Sequence, residues 1–127
     1  MGCTNSSLKR AASPSKKANA SNKLRILHFN DAYNIHENYP EKNYPGGVAR
    51  FVTMMDHYRK KAAAEGLEAI TVFSGDLLGP SLISTMEDGE QMAPSFNRLK
   101  VDVACIGNHD LDFGIEQMNK VLGQTLP

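Results

Sequence analysis

Three short apolar runs, each ending in polar side chains, constrain the fold of this chain more than any other feature. Each run has five or six residues, the length of a buried strand. The runs and their polar ends are residues 24–29 with Asn30 and Asp31, residues 69–73 with Asp76, and residues 101–106 with Asn108 and His109. Because ligands of α/β sheets bind beyond the carboxyl ends of strands, three such ends predict one shared metal site.

Helical patterns separate the three runs and follow the last one. Apolar residues recur at helical spacing over residues 48–64, 89–99 and 114–122, and Gly123 is expected to end the last helix. Strands that alternate with helices predict βαβ units and a mostly parallel sheet, which is the α/β class. Parallel strands are usually covered on both faces, so we expect the third run to be buried. Since three strands make a thin sheet, the fold is expected to be incomplete at its C-terminus.

The chain divides into a basic arm, residues 1–22, and a body, residues 23–127. The arm is rich in Ser, Asn, Ala and Lys, and a segment of this composition is predicted to be disordered. The first 30 residues hold six basic and no acidic side chains, whereas the remainder, with 8 basic and 14 acidic residues, is net negative. An acidic body argues against nucleic acid as a partner. Two cysteines give no disulfide framework and favour a reducing compartment.

The first six residues fit the pattern for an N-terminal lipid anchor. Gly2 is followed by a hydroxyl at Ser6, as in N-myristoylated proteins, and Cys3 adjoins it as a site for palmitate. Two acyl chains, or one chain with a basic patch, give stable attachment to anionic lipid. The sequence therefore predicts binding to the anionic inner leaflet, at the cytoplasmic face of the plasma membrane. The simpler interpretation is a disordered tail that matches the pattern by chance.

The polar strand ends carry the residue types that hydrolysis of a phosphoester needs. Asp31, Asp76 and Asn108 offer hard oxygen ligands, and two cations about 3.5–4 Å apart can clamp an attacking and a leaving oxygen on phosphorus. His109 can protonate a leaving group if a carboxylate such as Asp112 holds its ring. The simpler interpretations are that Asp76 is a turn residue and that Asp112, like its neighbour Asp110, caps the last helix.

These motifs resemble a known family. The blocks Ile26–Asp31, Gly75-Asp76 and Gly107–Asp110 are similar to the signature of calcineurin-like metallophosphoesterases, specifically the 5′-nucleotidase branch. Gly46–Arg50 resembles the start of that branch's first helix. The resemblance covers residues 24–127. It implies a β-sandwich of two sheets flanked by helices, of which this chain would form the N-terminal part.

The resemblance also implies roles for individual residues. Asp31 would ligate one divalent metal ion and Asp76 would bridge two, while Asn108 would ligate the second and contact the phosphate. His109 would also contact substrate and, with Asp112, form the catalytic pair. The metals would be Zn, Mn, Fe or Mg, and the substrate would be a phosphoester such as a nucleotide.

Two departures from the family pattern leave alternatives open. Tyr33 stands where the first block of the family has histidine, and no histidine follows Asp112. Imidazole ligands favour zinc, manganese or iron, so their absence predicts weak metal binding and little or no hydrolase activity in the chain as given. One alternative is a membrane-tethered, non-catalytic interaction protein. The other is a truncated fragment of a longer active enzyme.

Overall fold

A computed structural model describes residues 23–36 and 46–125. The elements in chain order are β1 (Leu24–Phe29), α1 (Val48–Ala64), β2 (Glu68–Phe73), α2 (Ser84–Glu87), α3 (Ala93–Leu99), β3 (Val103–Ala104) and α4 (Ile115–Thr125), with 3-10 turns at Glu90–Met92 and His109–Leu111. No helix within those two ranges is both long and apolar enough to cross a membrane. The arm of residues 1–22, with its predicted lipid anchor, lies outside the described residues.

The three strands form one parallel sheet in the order β1-β2-β3. β1 pairs with β2 over their full lengths, from Leu24 opposite Glu68 to Phe29 opposite Phe73, and Val72 lies opposite Val103. The α/β class predicted from the sequence is confirmed. Because all three strands run in the same direction, their carboxyl ends lie at one edge of the sheet.

The core lies on one face of the sheet, under the longer helices. Phe73 packs with Phe96 of α3 and with Met118 and Val121 of α4. A second cluster joins Leu27 of β1, Met55 of α1 and Leu99 of α3. These buried contacts hold the strands in place at the edge where the polar side chains lie.

The opposite face of the sheet carries exposed apolar side chains. The side chains of Leu24, Ile26 and Val103 are 49%, 60% and 57% exposed. Ile26 lies opposite Ile70 in the register, so these side chains belong to the same face of neighbouring strands. The prediction that the third run is buried is wrong, because β3 is an edge strand and one face of the sheet has no cover in the described residues.

The third strand is also shorter than residues 101–106. Lys100 has a left-handed backbone, with φ of 52°, and the Asp102 carboxylate accepts the Thr71 N–H at 2.7 Å. This side-chain acceptor replaces a ladder carbonyl at the amino end of the strand. Beyond each end of β3, one backbone hydrogen bond to β2 continues the pairing. Asp102 N–H donates to the Thr71 carbonyl at 2.9 Å, and Cys105 N–H donates to the Phe73 carbonyl at 3.0 Å.

The end of the last helix differs from the sequence prediction as well. Gly123 lies inside α4, which continues to Thr125. Val121 and Thr125 are both buried, four residues apart on the same face, so the helix continues to pack beyond the glycine.

Candidate functional site

The loops that follow β1 and β2 are joined by backbone hydrogen bonds beyond the strands. Asp31 N–H donates to the Gly75 carbonyl and Ala32 N–H to the Asp76 carbonyl, both at 3.1 Å. Asp31 and Asp76, which the sequence singles out as metal ligands, are therefore held on adjacent backbone segments. In addition, the Asp31 carboxylate accepts a hydrogen bond from the Asn30 amide.

The loop that follows β3 meets Asp76 directly. Asp76 Oδ1 accepts the His109 backbone N–H at 2.8 Å. The approach is so close that a Cβ on Gly107 would lie 2.7 Å from Asp76 Cγ, inside van der Waals contact. Asn108 lies between Gly107 and His109, so all three predicted ligands stand at the same edge of the sheet.

The two aspartates share an uncommon backbone conformation. Asp31 has φ of 53° and Asp76 has φ of 63°, in the left-handed region that residues other than glycine rarely adopt. Such residues cost about 1–3 kcal/mol each and cluster at functional sites, where the surrounding structure fixes them. The conformation turns the chain immediately after each strand, which is where a site beyond the strand ends requires it.

His109 and Asp112 form a hydrogen-bonded pair. His109 Nδ1 lies 2.8 Å from Asp112 Oδ2, and both side chains are about two-fifths exposed. The hydrogen bond that Asp112 accepts raises the pKa of His109; desolvation of the ring opposes this rise, and the charges of Asp112, Asp76 and Asp31 add to it. Since Nδ1 is engaged by Asp112, Nε2 is the ring nitrogen left to act on a substrate.

An open cleft of about 490 Å³ adjoins Asp31. Its polar lining includes Asn30 and Arg50, and its apolar lining includes Phe29 and Met92. Clefts of this volume accept small organic ligands. The cleft therefore offers an apolar surface next to the polar edge of the sheet.

The ligand set has few of the groups that bind transition metals most tightly. Within residues 23–36 and 46–125, no three His, Cys, Asp or Glu side chains are grouped so as to hold a metal ion. The predicted set consists of two carboxylates and the amide of Asn108, which are hard oxygen donors of the kind that suits Mg²⁺ or Mn²⁺. Tyr33 is half-buried. The metal-binding roles of Asp31, Asp76 and Asn108 and the catalytic roles of His109 and Asp112 stay predictions.

The sequence analysis missed the part played by Asp110. Its side chain is buried and hydrogen-bonded to the loop after β2, so the interpretation as a cap of the last helix is wrong. Nothing in the sequence separates Asp110 from the exposed Asp112 two residues later. The difference depends on which carboxylate faces the neighbouring loop, and this follows only from the packing of the two loops.

Comparison with known proteins finds distant relatives that include 5′-nucleotidases. No protein-family profile matches the chain. It is 33% identical over 92 residues to the protein UshA of Escherichia coli, and 29% identical over 101 residues to human 5′-nucleotidase. These matches cover 71% and 73% of this chain but 16% and 17% of the relatives. The chain thus spans about one sixth of the length of the curated relatives it matches.

A solved structure has a similar fold over most of the chain. The sulfate thiohydrolase SoxB of Thermus thermophilus, determined with glycerol, superposes with a TM-score of 0.63 at 17% identity. The superposition covers 80% of this chain and 28% of SoxB. At this identity the likeness concerns the fold alone.

Proposed function

We propose that this chain, which has the 5′-nucleotidase-like fold of calcineurin-like metallophosphoesterases, contributes a metal-dependent site for hydrolysis of phosphoesters. The recognition made from the three sequence blocks is confirmed by the relatives and by the fold. The observation that carries the proposal is the hydrogen bond from His109 N–H to Asp76 Oδ1, at 2.8 Å. It joins the segment that carries the proton donor to the segment that carries the central carboxylate.

Asp31, Asp76 and Asn108 would hold the metal ions. The fit rests on the donor set, because carboxylate and amide oxygens are the ligands of hard divalent cations. Two divalent cations, when bound, clamp the attacking and leaving oxygens on phosphorus and lower the pKa of the attacking water.

The His109–Asp112 pair supplies the proton for the leaving group. Asp112 fixes the ring through Nδ1 and raises the pKa of His109, so a larger fraction of the imidazole is protonated near neutral pH. The proton on Nε2 then passes to the oxygen that leaves phosphorus. A positioned general acid contributes about 10²–10⁴-fold to the rate.

A nucleotide is the substrate class that the relatives suggest for this site. UshA and 5′-nucleotidase are the relatives concerned, and the name of the second states a nucleotide substrate. In this chain the cleft beside Asp31, lined by Phe29 and Met92, supports an organic leaving group with an apolar surface. We expect a nucleoside 5′-monophosphate to be hydrolysed in preference to glycerol phosphate.

The test compares hydrolysis by the wild-type chain with that of two histidine variants. Because the chain as given lacks most imidazole ligands, only a low release of phosphate from a nucleoside 5′-monophosphate is expected, but with Mn²⁺ it should exceed the rate without metal and be lost in His109→Ala. His57→Ala is the matched control, since His57 lies exposed on α1, away from the strand ends. Equal rates for the two variants would contradict the proposal.

A non-catalytic interaction protein is the second candidate. Tyr33 replaces a histidine of the family pattern, and the sequence has no histidine after His109. The histidine ligands that the family pattern would place at these positions are therefore missing. Mn²⁺ binding without any release of phosphate from a nucleotide or an aryl phosphate would favour this candidate. Metal-dependent release by the wild-type chain would exclude it.

We also propose that the arm tethers the protein to the cytoplasmic face of the plasma membrane. Support comes from the sequence alone, namely Gly2 and Cys3 as acylation sites and the basic residues that follow. In cells, Gly2→Ala is expected to move the protein from the membrane fraction to the soluble fraction. The variant cannot be myristoylated, and without the myristoyl chain the palmitate and the basic patch no longer give stable attachment. Unchanged fractionation of Gly2→Ala would contradict the tether.

A further inference from the structure

Asp110 is buried between the loops that follow β2 and β3. Only 2% of its surface is exposed, although it lies between His109 and Leu111 in a 3-10 turn at the polar edge. A buried carboxylate is stable only if hydrogen bonds or opposite charges replace its hydration. The partners of Asp110 therefore show what the structure uses it for.

The Asp110 carboxylate accepts four backbone N–H groups from two loops. Oδ1 accepts from Leu77 at 2.6 Å and from Leu78 at 3.0 Å. Oδ2 accepts from Asp76 at 3.0 Å and from Gly107 at 2.8 Å. A carboxylate offers about four lone-pair directions, so these bonds occupy its full accepting capacity.

These hydrogen bonds, together with one from the neighbouring residue His109, hold both the backbone and the side chain of the predicted ligand Asp76. Asp110 binds the backbone N–H of Asp76, and the backbone N–H of the adjacent His109 binds Asp76 Oδ1. The left-handed φ of Asp76 is thus held from outside the loop that contains it. With its oxygens occupied by backbone donors, Asp110 itself has no lone pair left for a metal ion.

We propose that Asp110 is a positioning residue that sets the backbone and side chain of Asp76 for metal binding. This inference rests on the proposed function, because it assumes that Asp76 is a ligand. Residues that orient metal ligands typically change metal affinity by 10- to 100-fold when replaced.

The test is the Mn²⁺ affinity of Asp110→Asn in the full 127-residue chain. An asparagine has nearly the same shape, but its NH₂ group faces two of the four N–H donors and leaves them unpaired. We expect Mn²⁺ to bind the folded variant about 10- to 100-fold more weakly than the wild type, measured by calorimetry and by electron paramagnetic resonance of free Mn²⁺.

Asp102→Asn is the matched control. The Asp102 carboxylate also accepts a backbone N–H, that of Thr71 at 2.7 Å, but it does so at the amino end of β3. Because the amide oxygen of asparagine can still accept this single N–H, the variant is expected to stay folded and to retain wild-type Mn²⁺ affinity. If Asp110→Asn retained wild-type affinity too, or if both variants lost it equally, the inference would be overturned.

Amide hydrogen exchange in the wild-type chain provides a second test that needs neither a variant nor a metal. The N–H groups of Asp76, Leu77, Leu78 and Gly107 are expected to exchange slowly as one group. Fast exchange of these amides would overturn the inference even if Asp110→Asn failed to fold. Absence of Mn²⁺ binding by the wild type, with these amides still protected, would contradict the proposed function and remove the metal-binding purpose assigned to Asp110.

Discussion

At the scale of single residues, two glycines allow the polar strand ends to meet. A Cβ on Gly75 would lie 2.7 Å from Gly107 Cα, and a Cβ on Gly107 would lie 2.7 Å from Asp76 Cγ. No other residue type fits between these backbones, so glycine at both positions is a requirement of the close approach. The sequence shows the dipeptides Gly75-Asp76 and Gly107-Asn108. The contact between them becomes evident only when β2 and β3 lie side by side.

Gly107→Ala is expected to displace Asp76 and to lower the free energy of unfolding by about 1–3 kcal/mol, the usual cost of overpacking. Gly123→Ala is the control, since a Cβ at Gly123 meets nothing within 4 Å and the residue lies in a helix. There, alanine is expected to raise stability by about 0.5–1 kcal/mol. Urea unfolding of the two variants checks both signs, and a neutral effect of Gly107→Ala would contradict the close approach.

The pKa of His109 in the metal-free protein gives a second prediction at this scale. Asp112 holds this pKa above the ordinary value, so Asp112→Asn is expected to lower it, as measured by titrating the imidazole resonances. Because the folded-state pKa exceeds the unfolded one, the stabilising contribution is complete below about pH 6.5 and disappears as pH rises through the folded-state pKa. An unchanged His109 titration in Asp112→Asn would show that the pair is not formed in solution.

At the scale of secondary-structure elements, the apolar patterns predict the bounds of β1 and α1 but not the length or the exposure of β3. The bounds of β1 and α1 agree with the apolar patterns over residues 24–29 and 48–64. The third run reads as a buried strand, yet β3 is short and exposed, because an apolar sequence cannot reveal whether a second layer covers it. The brief helix α2 has no apolar period to mark it.

Paired methionines on α1 test how that helix packs. Met55 is buried against Leu27 and Leu99, whereas Met54 is 46% exposed. Met55→Ala is expected to destabilise the fold by about 2–5 kcal/mol, and Met54→Ala by much less. Thermal unfolding of the two variants measures the difference, and similar midpoints would mean that α1 docks on a different face.

At the scale of the whole molecule, the sheet has helices on one face and exposed apolar side chains on the other. Leu24, Ile26 and Val103 lie on this second face, called the uncovered face because nothing within residues 23–36 and 46–125 packs over it. The resemblance to a two-sheet family predicts a second layer there, and the matched segments make up only 16% and 17% of UshA and human 5′-nucleotidase. Composition alone could not locate this face, since it depends on which residues of β1 point away from α1.

The uncovered face is expected to bind a dye that fluoresces on apolar surfaces. Ile26→Ser should reduce the fluorescence, because Ile26 is 60% exposed on that face. Leu82→Ser is the control, since Leu82 is more exposed but lies outside the sheet, between β2 and α2. Equal effects of the two substitutions, or no dye binding by the wild type, would contradict the description of this face.

Paramagnetic broadening by Mn²⁺ in the ¹⁵N-labelled chain tests the central claim most directly. The account predicts selective loss of the amide signals of Asp31, Asp76, Asn108 and His109 at low Mn²⁺, and recovery of these signals in Asp76→Asn. Broadening spread evenly over the acidic surface, or centred away from the carboxyl ends of the strands, would contradict a shared metal site.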